Sequence, residues 1–411
     1  MSTAALPAAL PAPERRPHPV RQRNFLLWWL GATVSLAGDQ FYIVALPWVV
    51  LQLTGSGVAM GTVAMAAGIP RAALMLMGGA VSDRSSPRRL LMATATARTL
   101  LVAAIGVLLW RNQLALWHLY LLATGFGIAD AFALPTASAL MRTLVPIEQL
   151  PAANSVWQSS ALVTGIVGPA PAGLIMKKLG VAWAFLLDAF SFLFILVALW
   201  RLPDAPPAPR PQASSVWRSI GEGLKYVGND AALRSLMLLT AVLNFCLAGP
   251  LSVGLAYMAK QRFSSPAAFG MWISSVAAGT FVGLLLAGVL KAKRRGLLLV
   301  ATSSTLGVAM SAMGFLPGFW PVAALLAAMG SLSGFINVQF QSWFQQRVER
   351  AVLGRVASVA MLSAFGLMPL SMAAAGVAVE WNTRLMFLIA GAAVLVVSLF
   401  GALQKPVREI A

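Results

Sequence analysis

Four charged residues interrupt long apolar stretches of the chain: Asp39, Arg71, Arg98 and Asp130. If those stretches are membrane-spanning helices, a rise of about 1.5 Å per residue places all four within about 3 Å of one depth, roughly 20 Å below the outer surface. Charges at that depth are costly and usually mark function. Two acids and two bases in one layer can form fixed ion pairs, or they can bind and release a proton.

The residues alone leave both chemistries open. In the first, Asp39–Arg71 and Asp130–Arg98 are neutralising pairs that join neighbouring helices, because buried charges generally require partners. In the second, Asp39 or Asp130 faces a hydrated cavity and exchanges a proton while Arg71 changes partner. Asp188 also interrupts an apolar stretch, but it lies closer to the end of that stretch and is expected outside the charged layer.

Catalytic and metal-binding patterns are missing from the sequence. His18 lies in a polar N-terminal segment and His118 near a predicted helix end, so neither has the neighbours that catalysis needs. There is no phosphate-binding loop of the GxxxxGK type and no metal-ligand spacing of His, Cys and carboxylates. We therefore expect no enzymatic activity and no bound cofactor. The single Cys246 cannot form a disulfide within the chain.

Composition predicts the elements that position these charges. Of 411 residues, 59% are hydrophobic and only 10% are charged, and the mean hydropathy of +0.80 is too high for a water-soluble protein of this size. Apolar stretches of about 20 residues, which cross a bilayer as helices, predict an all-α membrane protein with twelve spans. The predicted spans 1 to 12 are 26–53, 57–82, 89–110, 117–141, 153–176, 182–201, 233–258, 267–290, 296–315, 320–345, 355–379 and 384–403.

The basic residues of the connections predict the orientation. One set of alternating connections, together with both chain ends, carries 22 Lys and Arg residues, and the other set carries 6. Because basic residues concentrate on the cytoplasmic side, both termini are expected in the cytoplasm, as in a protein of a bacterial inner membrane. The net charge of +18 is thus explained by topology, and we expect membrane lipids rather than nucleic acid as partners.

The chain divides into two similar halves. A shift of 203 residues aligns Pro47 with Pro250 and Gly127 with Gly330. Two such halves favour a transporter whose halves rock around a binding site between them. A channel or a scaffold protein can also consist of two duplicated halves. The predicted domains are a disordered tail (1–23), a six-helix bundle (24–201), a cytoplasmic linker with an amphipathic helix (202–232), a second six-helix bundle (233–403) and a tail (404–411).

Several phrases of the sequence resemble one transporter family. "GGAVSDRSSPRR", between spans 2 and 3, resembles the signature loop of the major facilitator superfamily, and "TGIVGPAPAG" in span 5 is similar to the Gly-Pro motif of its exporters. "GDQFYIVALPWVVLQLTGS", "LLDAFSFL" and "RVERAVLGRVASV" are similar to its macrolide-efflux and enterobactin-exporter-like branch. The likeness covers residues 24–403. The signature positions that match are Gly79, Asp83, Arg84, Arg88 and Arg89.

The resemblance implies a gating latch on the cytoplasmic side. Asp83 would accept hydrogen bonds from the positively polarised N-terminus of span 11, and Gly79 would let span 2 approach a neighbouring helix. Arg84 and Arg88 would bridge to nearby acids or carbonyls. Alternatively, the arginines only fix the topology.

The resemblance also implies a central cavity bordered by spans 1 and 4, with spans 3 and 6 at the periphery. Arg98 and Asp188, on those outer spans, are therefore expected to be structural, whereas Asp39, Asp130 and Arg71 are expected to couple proton movement to transport. Aromatic and amide side chains suit an amphipathic organic substrate, although helix packing also explains the aromatic ones. The candidate cavity residues are Tyr42, Phe126, Phe132, Trp157, Asn244, Phe245, Gln339, Gln341 and Trp343.

These features predict a monomeric secondary active transporter that exports a small amphipathic compound, a drug or siderophore-like molecule, by alternating access. The expected energy source is a proton gradient or a sodium gradient. Residues 121–123 are apolar where many drug–proton antiporters carry an arginine, so coupling through a span 4 arginine is not implied. The alternatives are a coupled importer in which Arg71 binds an anionic solute, and a non-transporting membrane receptor or scaffold.

Overall fold

The structure, a computed structural model, describes residues 18–82, 85–204, 216–290, 295–349 and 352–404. Within these ranges every regular element is helical and no strand occurs. The predicted disordered tail up to residue 17, the C-terminal tail from 405 and the linker segment 205–215 lie outside the described residues.

The first half of the chain contains six spans. Span 5 is broken at Gly168, because the ring of Pro169 leaves no backbone N–H to continue the helical hydrogen bonds. Short 3-10 helices, Pro19–Arg21 and Ile147–Gln149, precede spans 1 and 5. In order, spans 1 to 6 are Arg23–Thr54, Gly57–Ser82, Pro87–Trp110, Leu116–Leu144, Leu150–Val167 with Pro169–Leu179, and Val181–Arg201.

The second half begins with a linker helix, Val216–Asn229, and then repeats the six-span arrangement. Span 7 contains a π-helical turn, Pro250–Gly254, between Ala231–Gly249 and Leu255–Phe263. Spans 8, 9 and 10 are Pro266–Val289, Arg295–Met313 and Phe319–Arg347. Span 11 starts with Leu353–Phe365 and continues into Met368–Leu403, which also contains span 12.

The twelve-span architecture is confirmed. Eleven stretches of the described residues are long and apolar enough to cross a membrane. The last of them, Leu353–Leu403, holds two spans, because the backbone of Asn382 is extended (φ −164°, ψ 113°) and divides the helix there. Large apolar side chains stay exposed around the bundle, as expected for a surface that contacts lipid. They include Leu100, Phe190, Leu238, Val308 and Val396.

The two ends of the bundle differ in how the halves are joined. We call the end where span 1 begins and span 12 ends the terminal face, and the opposite end the far face. At the terminal face, polar contacts hold each half together: Asp204 binds Arg89 in the first half, and Asp230 binds Arg347 in the second. At the far face, polar contacts cross between halves. Lys260 on span 7 donates to the carbonyl of Leu51 at the end of span 1.

Helix neighbours follow from the packing of each half. In the first half, span 6 packs on spans 1 and 3, span 3 also packs on span 4, and span 4 packs on span 2. In the second half, span 8 packs on span 10, and spans 7 and 9 pack on Met368–Leu403. Between the halves, span 2 packs on Met368–Leu403 and span 5 packs on span 8. This packing determines which of the intramembrane charges can meet.

Candidate functional site

A row of alternating acids and bases crosses the interior of the first half. Arg98 on span 3 forms an ion pair with Asp39 on span 1 through one terminal nitrogen, and its other terminal nitrogen lies 3.6 Å from Asp130 on span 4. The second carboxylate oxygen of Asp130 lies 3.0 Å from Nε of Arg71 on span 2. The four residues singled out in the sequence therefore form one connected group, which we call the charged cluster.

The pairing within the charged cluster differs from the expected one. Asp39 binds Arg98 and not Arg71, so the predicted Asp39–Arg71 pair is wrong, whereas Asp130 contacts both arginines. Position along a helix gives the height of a residue in the membrane but not its neighbours. Span 6 packs on both span 1 and span 3, and this packing brings Arg98 close to Asp39. Span 2 packs on span 4, so Arg71 lies next to Asp130.

Burial decreases along the charged cluster toward Arg71. The side chain of Arg98 is 10% exposed, whereas that of Arg71 is 57% exposed. The guanidinium carbon of Arg98 lies 4.8 Å from the ring centroid of Phe126 and 4.4 Å from that of Phe192, so two aromatic rings cover this cation. Arg98, expected on a peripheral span, thus lies at the centre of the cluster and links its two acids.

A cavity of about 350 Å³ opens beside the charged cluster, and every residue that lines it belongs to the first half. Of the predicted aromatic residues, Tyr42, Phe126 and Trp157 line it. Tyr42 stacks on Phe126 with ring centroids 4.2 Å apart, and Trp157 stacks on Trp28 at 5.2 Å. Flat apolar walls with a few polar groups are typical of sites for small organic ligands. The charged lining residues are Asp39, Arg71, Arg98 and Asp130.

The remaining predicted cavity residues lie elsewhere. Asn244 donates from Nδ2 to the carbonyl of Thr240, 2.9 Å away on its own span, Gln339 is buried and Gln341 is exposed. A contribution of the second half to substrate binding stays a prediction. The predicted residues that do not line this cavity are Phe132, Asn244, Phe245, Gln339, Gln341 and Trp343.

Asp188 lies next to the charged cluster, so its expected separation from that layer is wrong. Its side chain is fully buried on span 6, and Oδ1 lies 2.7 Å from the point that a Cβ on Gly38 would occupy, one residue before Asp39. At this position Asp188 interacts electrostatically with Asp39 and Arg98. Counting from helix ends misplaced it because span 1 continues to Thr54, well past the beginning of span 6 at the far face.

The predicted latch residues fall partly outside the described residues, which exclude Asp83 and Arg84. Gly79 lies within the helix of span 2. Arg88 donates from Nε to the carbonyl of Leu199, 2.6 Å away, and from a terminal nitrogen to that of Trp200 at 3.0 Å. These carbonyls belong to the last turn of span 6, so Arg88 neutralises a helix C-terminus within its own half.

The start of span 11, where the resemblance places the partner of Asp83, packs on the linker helix in this structure. Arg355 lies 2.8 Å from Glu222 of that helix, and a Cβ on Gly223 would lie 2.6 Å from the carbonyl oxygen of Arg355. A latch between Asp83 and span 11 stays a prediction. In this conformation the linker helix covers that end of span 11.

Two close helix pairs join the halves toward the far face. On spans 2 and 11, a Cβ on Gly61 would lie 2.4 Å from the carbonyl oxygen of Met372. On spans 5 and 8, a Cβ on Gly173 would lie 2.5 Å from the carbonyl oxygen of Pro266. Only glycine permits such backbone approach. The Gly-Pro phrase of span 5, which contains Gly173, therefore holds the two halves together in this conformation.

Comparison with known proteins matches this architecture to one family. Residues 28–369 match the sequence family described as Major Facilitator Superfamily. The chain belongs to the major facilitator superfamily. This superfamily consists of membrane transporters, so the predictions of an integral membrane protein and of no enzymatic activity are confirmed.

Curated relatives of this superfamily member include drug exporters. The chain is 30% identical over 363 residues to the multidrug efflux pump Tap of Mycolicibacterium fortuitum. The aligned region covers 85% of this chain and 88% of the relative. It is 25% identical over 346 residues to macrolide efflux protein A of Streptococcus pyogenes, and this alignment covers 82% of the chain and 84% of the relative. The predicted resemblance to the macrolide-efflux branch is therefore confirmed.

Solved structures share the fold of this superfamily member. The nucleoside transporter NupG superimposes with a TM-score of 0.72 at 13% identity, over 92% of this chain and 98% of that one. A bacterial homologue of the iron transporter ferroportin in an inward-facing state gives 0.69 at 17% identity, over 93% and 99%. At these identities the likeness shows the fold alone.

Proposed function

We propose that this chain is a proton-coupled exporter of small amphipathic organic compounds that works by alternating access as a monomer in a bacterial inner membrane. The terminal face is then cytoplasmic and the far face external. The proposal is supported chiefly by one observation, the charged cluster that lines an aromatic cavity inside the first half. A carboxylate there can be reached by both a proton and a substrate.

The position of Asp39 suits proton exchange. Its side chain is 21% exposed and lines the cavity, and its ion pair with Arg98 is sheltered by aromatic rings. Protonation of Asp39 removes its charge, and Arg98 then loses its nearest charged partner and retains the more distant Asp130. The exchange of one proton therefore changes the interactions between span 1 and span 3, and in this way it can favour one arrangement of the helices over another.

The arrangement of contacts between the halves supports alternating access. The halves are joined toward the far face by the glycine contacts of spans 2 and 5 and by the bond from Lys260 to span 1. The contacts at the terminal face hold each half together separately. In the proposed cycle, this arrangement is the state in which a compound enters from the cytoplasm. Export requires the far-face contacts to break.

The names of the relatives favour export of drug-like compounds. Tap is a multidrug efflux pump and protein A of S. pyogenes is a macrolide efflux protein. The stacked pairs Tyr42–Phe126 and Trp157–Trp28 offer flat faces to an organic molecule at the cavity of this chain. The substrate class proposed here follows from both observations.

Transport in proteoliposomes tests the proposal. Vesicles with an acidic lumen should accumulate a labelled macrolide or a fluorescent amphipathic dye through molecules whose terminal face points outward, and lumenal protons should leave as the compound enters. A sodium gradient of the same size should drive no accumulation of the compound. Asp39→Asn should reduce pH-driven accumulation at least tenfold while leaving the protein folded.

Glu148→Gln is the matched control, because Glu148 is an exposed acid at the terminal face, away from the cavity. It should transport like the wild type. Normal pH-driven accumulation by Asp39→Asn would overturn the assignment of the proton site, and accumulation driven by sodium alone would overturn proton coupling.

A coupled importer is the second candidate, and the exposure of Arg71 favours it. More than half of this side chain is accessible at the cavity, where it can reach an anionic solute. An importer would take up protons together with its solute, so the direction of proton movement in the same vesicles separates the two functions.

A further inference from the structure

Asp188 is the one acid of this region whose carboxyl group forms no ion pair with a described residue, and the hydroxyl beside it is that of Ser191. Both of its carboxyl oxygens are buried without a partner. The nearest hydroxyl, that of Ser191, donates to the backbone carbonyl of Asp188 at 2.7 Å. A buried carboxylate normally attracts several donors, so this environment suits a carboxyl group that carries its own proton.

The balance of charge in this region also favours a protonated carboxyl group on Asp188. With Asp188 included, this region holds three carboxyl groups and two guanidinium groups, the buried one of Arg98 and the half-exposed one of Arg71. The other titratable neighbour is Tyr42 on span 1, whose hydroxyl is also buried without a partner. Full ionisation would leave one negative charge unpaired in the membrane interior, where such charges are most costly.

No further base faces Asp188 from the helices that pack on span 6. Spans 1 and 3 contribute Asp39, Tyr42 and Arg98. The third neighbour, helix Pro169–Leu179, carries only Lys177 and Lys178 as charged residues, and both are exposed. The carboxyl group of Asp188 therefore depends on Arg98 for any positive partner.

Arg98 has a free hydrogen-bond donor that can bind the carboxyl group of Asp188. Its terminal nitrogens contact Asp39 and Asp130, but Nε is buried and has no acceptor. Its guanidinium lies over the ring of Phe192, one helical turn after Asp188 on the same face of span 6. An unsatisfied donor and unsatisfied acceptors thus occur in the same buried region, on two residues that interact electrostatically, and buried unsatisfied polar groups are rare in folded proteins.

We propose that Asp188 is a second proton-carrying residue of this transporter, and that it exchanges one proton with Asp39 while Arg98 changes partner between them. In the conformation described, Asp188 is protonated and Arg98 binds ionised Asp39. In the alternative state, the proton has moved from Asp188 to Asp39, the Arg98–Asp39 ion pair has broken and an Arg98–Asp188 ion pair has formed. Total charge is conserved, and the inference rests on the proposed proton coupling.

The roles of the two acids then differ. Asp39 lines the cavity and exchanges protons with its water, whereas fully buried Asp188 stores the proton out of reach of solvent. Because Arg98 belongs to span 3, Asp39 to span 1 and Asp188 to span 6, the exchange of partner weakens the contact of span 3 with span 1 and strengthens its contact with span 6. Asp188 thereby holds the proton while the cavity closes to one side of the membrane and opens to the other.

Infrared difference spectroscopy on the full-length protein tests the protonation directly. A protonated carboxyl in an apolar site has a C=O stretch that shifts in D2O. We expect this band in the wild type at neutral pH, in Glu148→Gln and in Ser191→Ala, and its loss in Asp188→Asn. A band that persists in Asp188→Asn would overturn the proposal, as would its absence from the wild type.

Transport separates this inference from the proposed function. Asp188→Asn should still exchange labelled for unlabelled compound without a gradient, but should lose at least tenfold in pH-driven accumulation, and Ser191→Ala should lose neither. Normal pH-driven accumulation by Asp188→Asn, with Asp39→Asn inactive, would refute only the storage site. Normal accumulation by Asp39→Asn would refute the proposed coupling itself. If Asp188→Asn does not fold, Asp188→Glu is measured instead: the band should shift in frequency because it belongs to a different carboxyl side chain, and an unchanged band refutes the assignment to Asp188.

Discussion

The carboxylate of Glu380, at the far-face end of span 11, accepts a hydrogen bond from the backbone N–H of Val58, 3.0 Å away at the start of span 2. The same oxygen accepts a hydrogen bond from the hydroxyl of Ser56. An acid at this position satisfies N–H groups that have no partner within the helix and lies at the positive end of the helix dipole. Because span 2 belongs to the first half and span 11 to the second, this cap joins the two halves at the far face.

Removal of the Glu380 cap should shift the protein toward a conformation open at the far face. Glu380→Ala loses both the acceptor and the charge, and we expect it to weaken closure by about 1 kcal/mol. Glu380→Gln keeps an acceptor and should have a smaller effect. Spin labels at Gln113 and Phe315, exposed in the two halves near the far face, measure the distance between them after Cys246→Ser.

The distance distributions should broaden toward longer values in the order wild type, Glu380→Gln, Glu380→Ala. Identical distributions for all three proteins would show that the cap does not contribute to closure. Glu148→Gln at the terminal face is the control and should leave the far-face distance unchanged.

A methyl group at Gly173 should disturb the contact between spans 5 and 8. Gly173→Ala places a Cβ 2.5 Å from the carbonyl oxygen of Pro266, so the helices must separate, and we expect a loss of about 1–3 kcal/mol in stability of the closed state. Gly165→Ala, on the same span, meets no atom within 4 Å and serves as the matched control. Thermal unfolding in detergent and the far-face distance should change for Gly173→Ala alone, and equal behaviour of the two variants would contradict the assigned contact.

Loss of Arg98 should destabilise the protein far more than loss of Arg71. Arg98→Gln leaves Asp39 without its ion-pair partner in a buried position, for which we expect a cost of about 3–5 kcal/mol. Arg71 is half-exposed, so Arg71→Gln should cost about 1 kcal/mol or less. Chemical unfolding in detergent measures both. Addition of Asp39→Asn should recover part of the loss in Arg98→Gln, and a loss that is fully additive would contradict the direct coupling of these two residues.

Asp230 should make folding stability depend on acid pH. Its carboxylate caps span 7 through the N–H groups of Ala232 and Leu233 and lies 2.9 Å from Nε of Arg347. Partial burial raises the pKa of Asp230, but the N–H of Leu233 and the guanidinium of Arg347 together lower it more, so its pKa lies below the ordinary value. A depressed pKa in the folded state contributes stability above the unfolded pKa of about 3.9, and that contribution is lost as the pH falls through the folded pKa.

We therefore expect Asp230→Asn to unfold at a lower temperature than the wild type at pH 7 and to approach it below about pH 4. Asparagine is an equally good helix cap, so the variant isolates the charge. Thermal unfolding from pH 3 to 7 is the measurement. A constant difference across this range would show that the ion pair with Arg347 does not contribute, and Glu148→Gln provides the reference.

The sequence was sufficient to predict the twelve spans and the identity of the charged cluster. A helix that crosses a bilayer needs about 20 apolar residues, so the spans are visible as runs, and a charge inside such a run is conspicuous. Asp39, Arg71, Arg98 and Asp130 were found in this way, and the structure brings all four into contact.

Partners and heights could not be predicted, because they depend on packing between helices. Counting from the predicted helix ends places Asp188 outside the layer because it treats those ends as level, whereas span 1 extends past span 6 at the far face. Glu380 was not recognised as a contact between the halves. Its only signal in the sequence is an acid near the end of a predicted span, and its distant partner Val58 becomes evident only once spans 2 and 11 pack together.

Pro47 and Pro250 occupy equivalent places in the two halves but have different consequences. Span 1 remains α-helical through Pro47, whereas span 7 widens into the π-helical turn Pro250–Gly254. An extra residue in one turn rotates the side chains that follow by about 100° relative to an unbroken helix. Similar sequences therefore produce different backbone geometry at the same level of the two halves, so side chains beyond Pro250 point in other directions around their helix axis than their counterparts beyond Pro47.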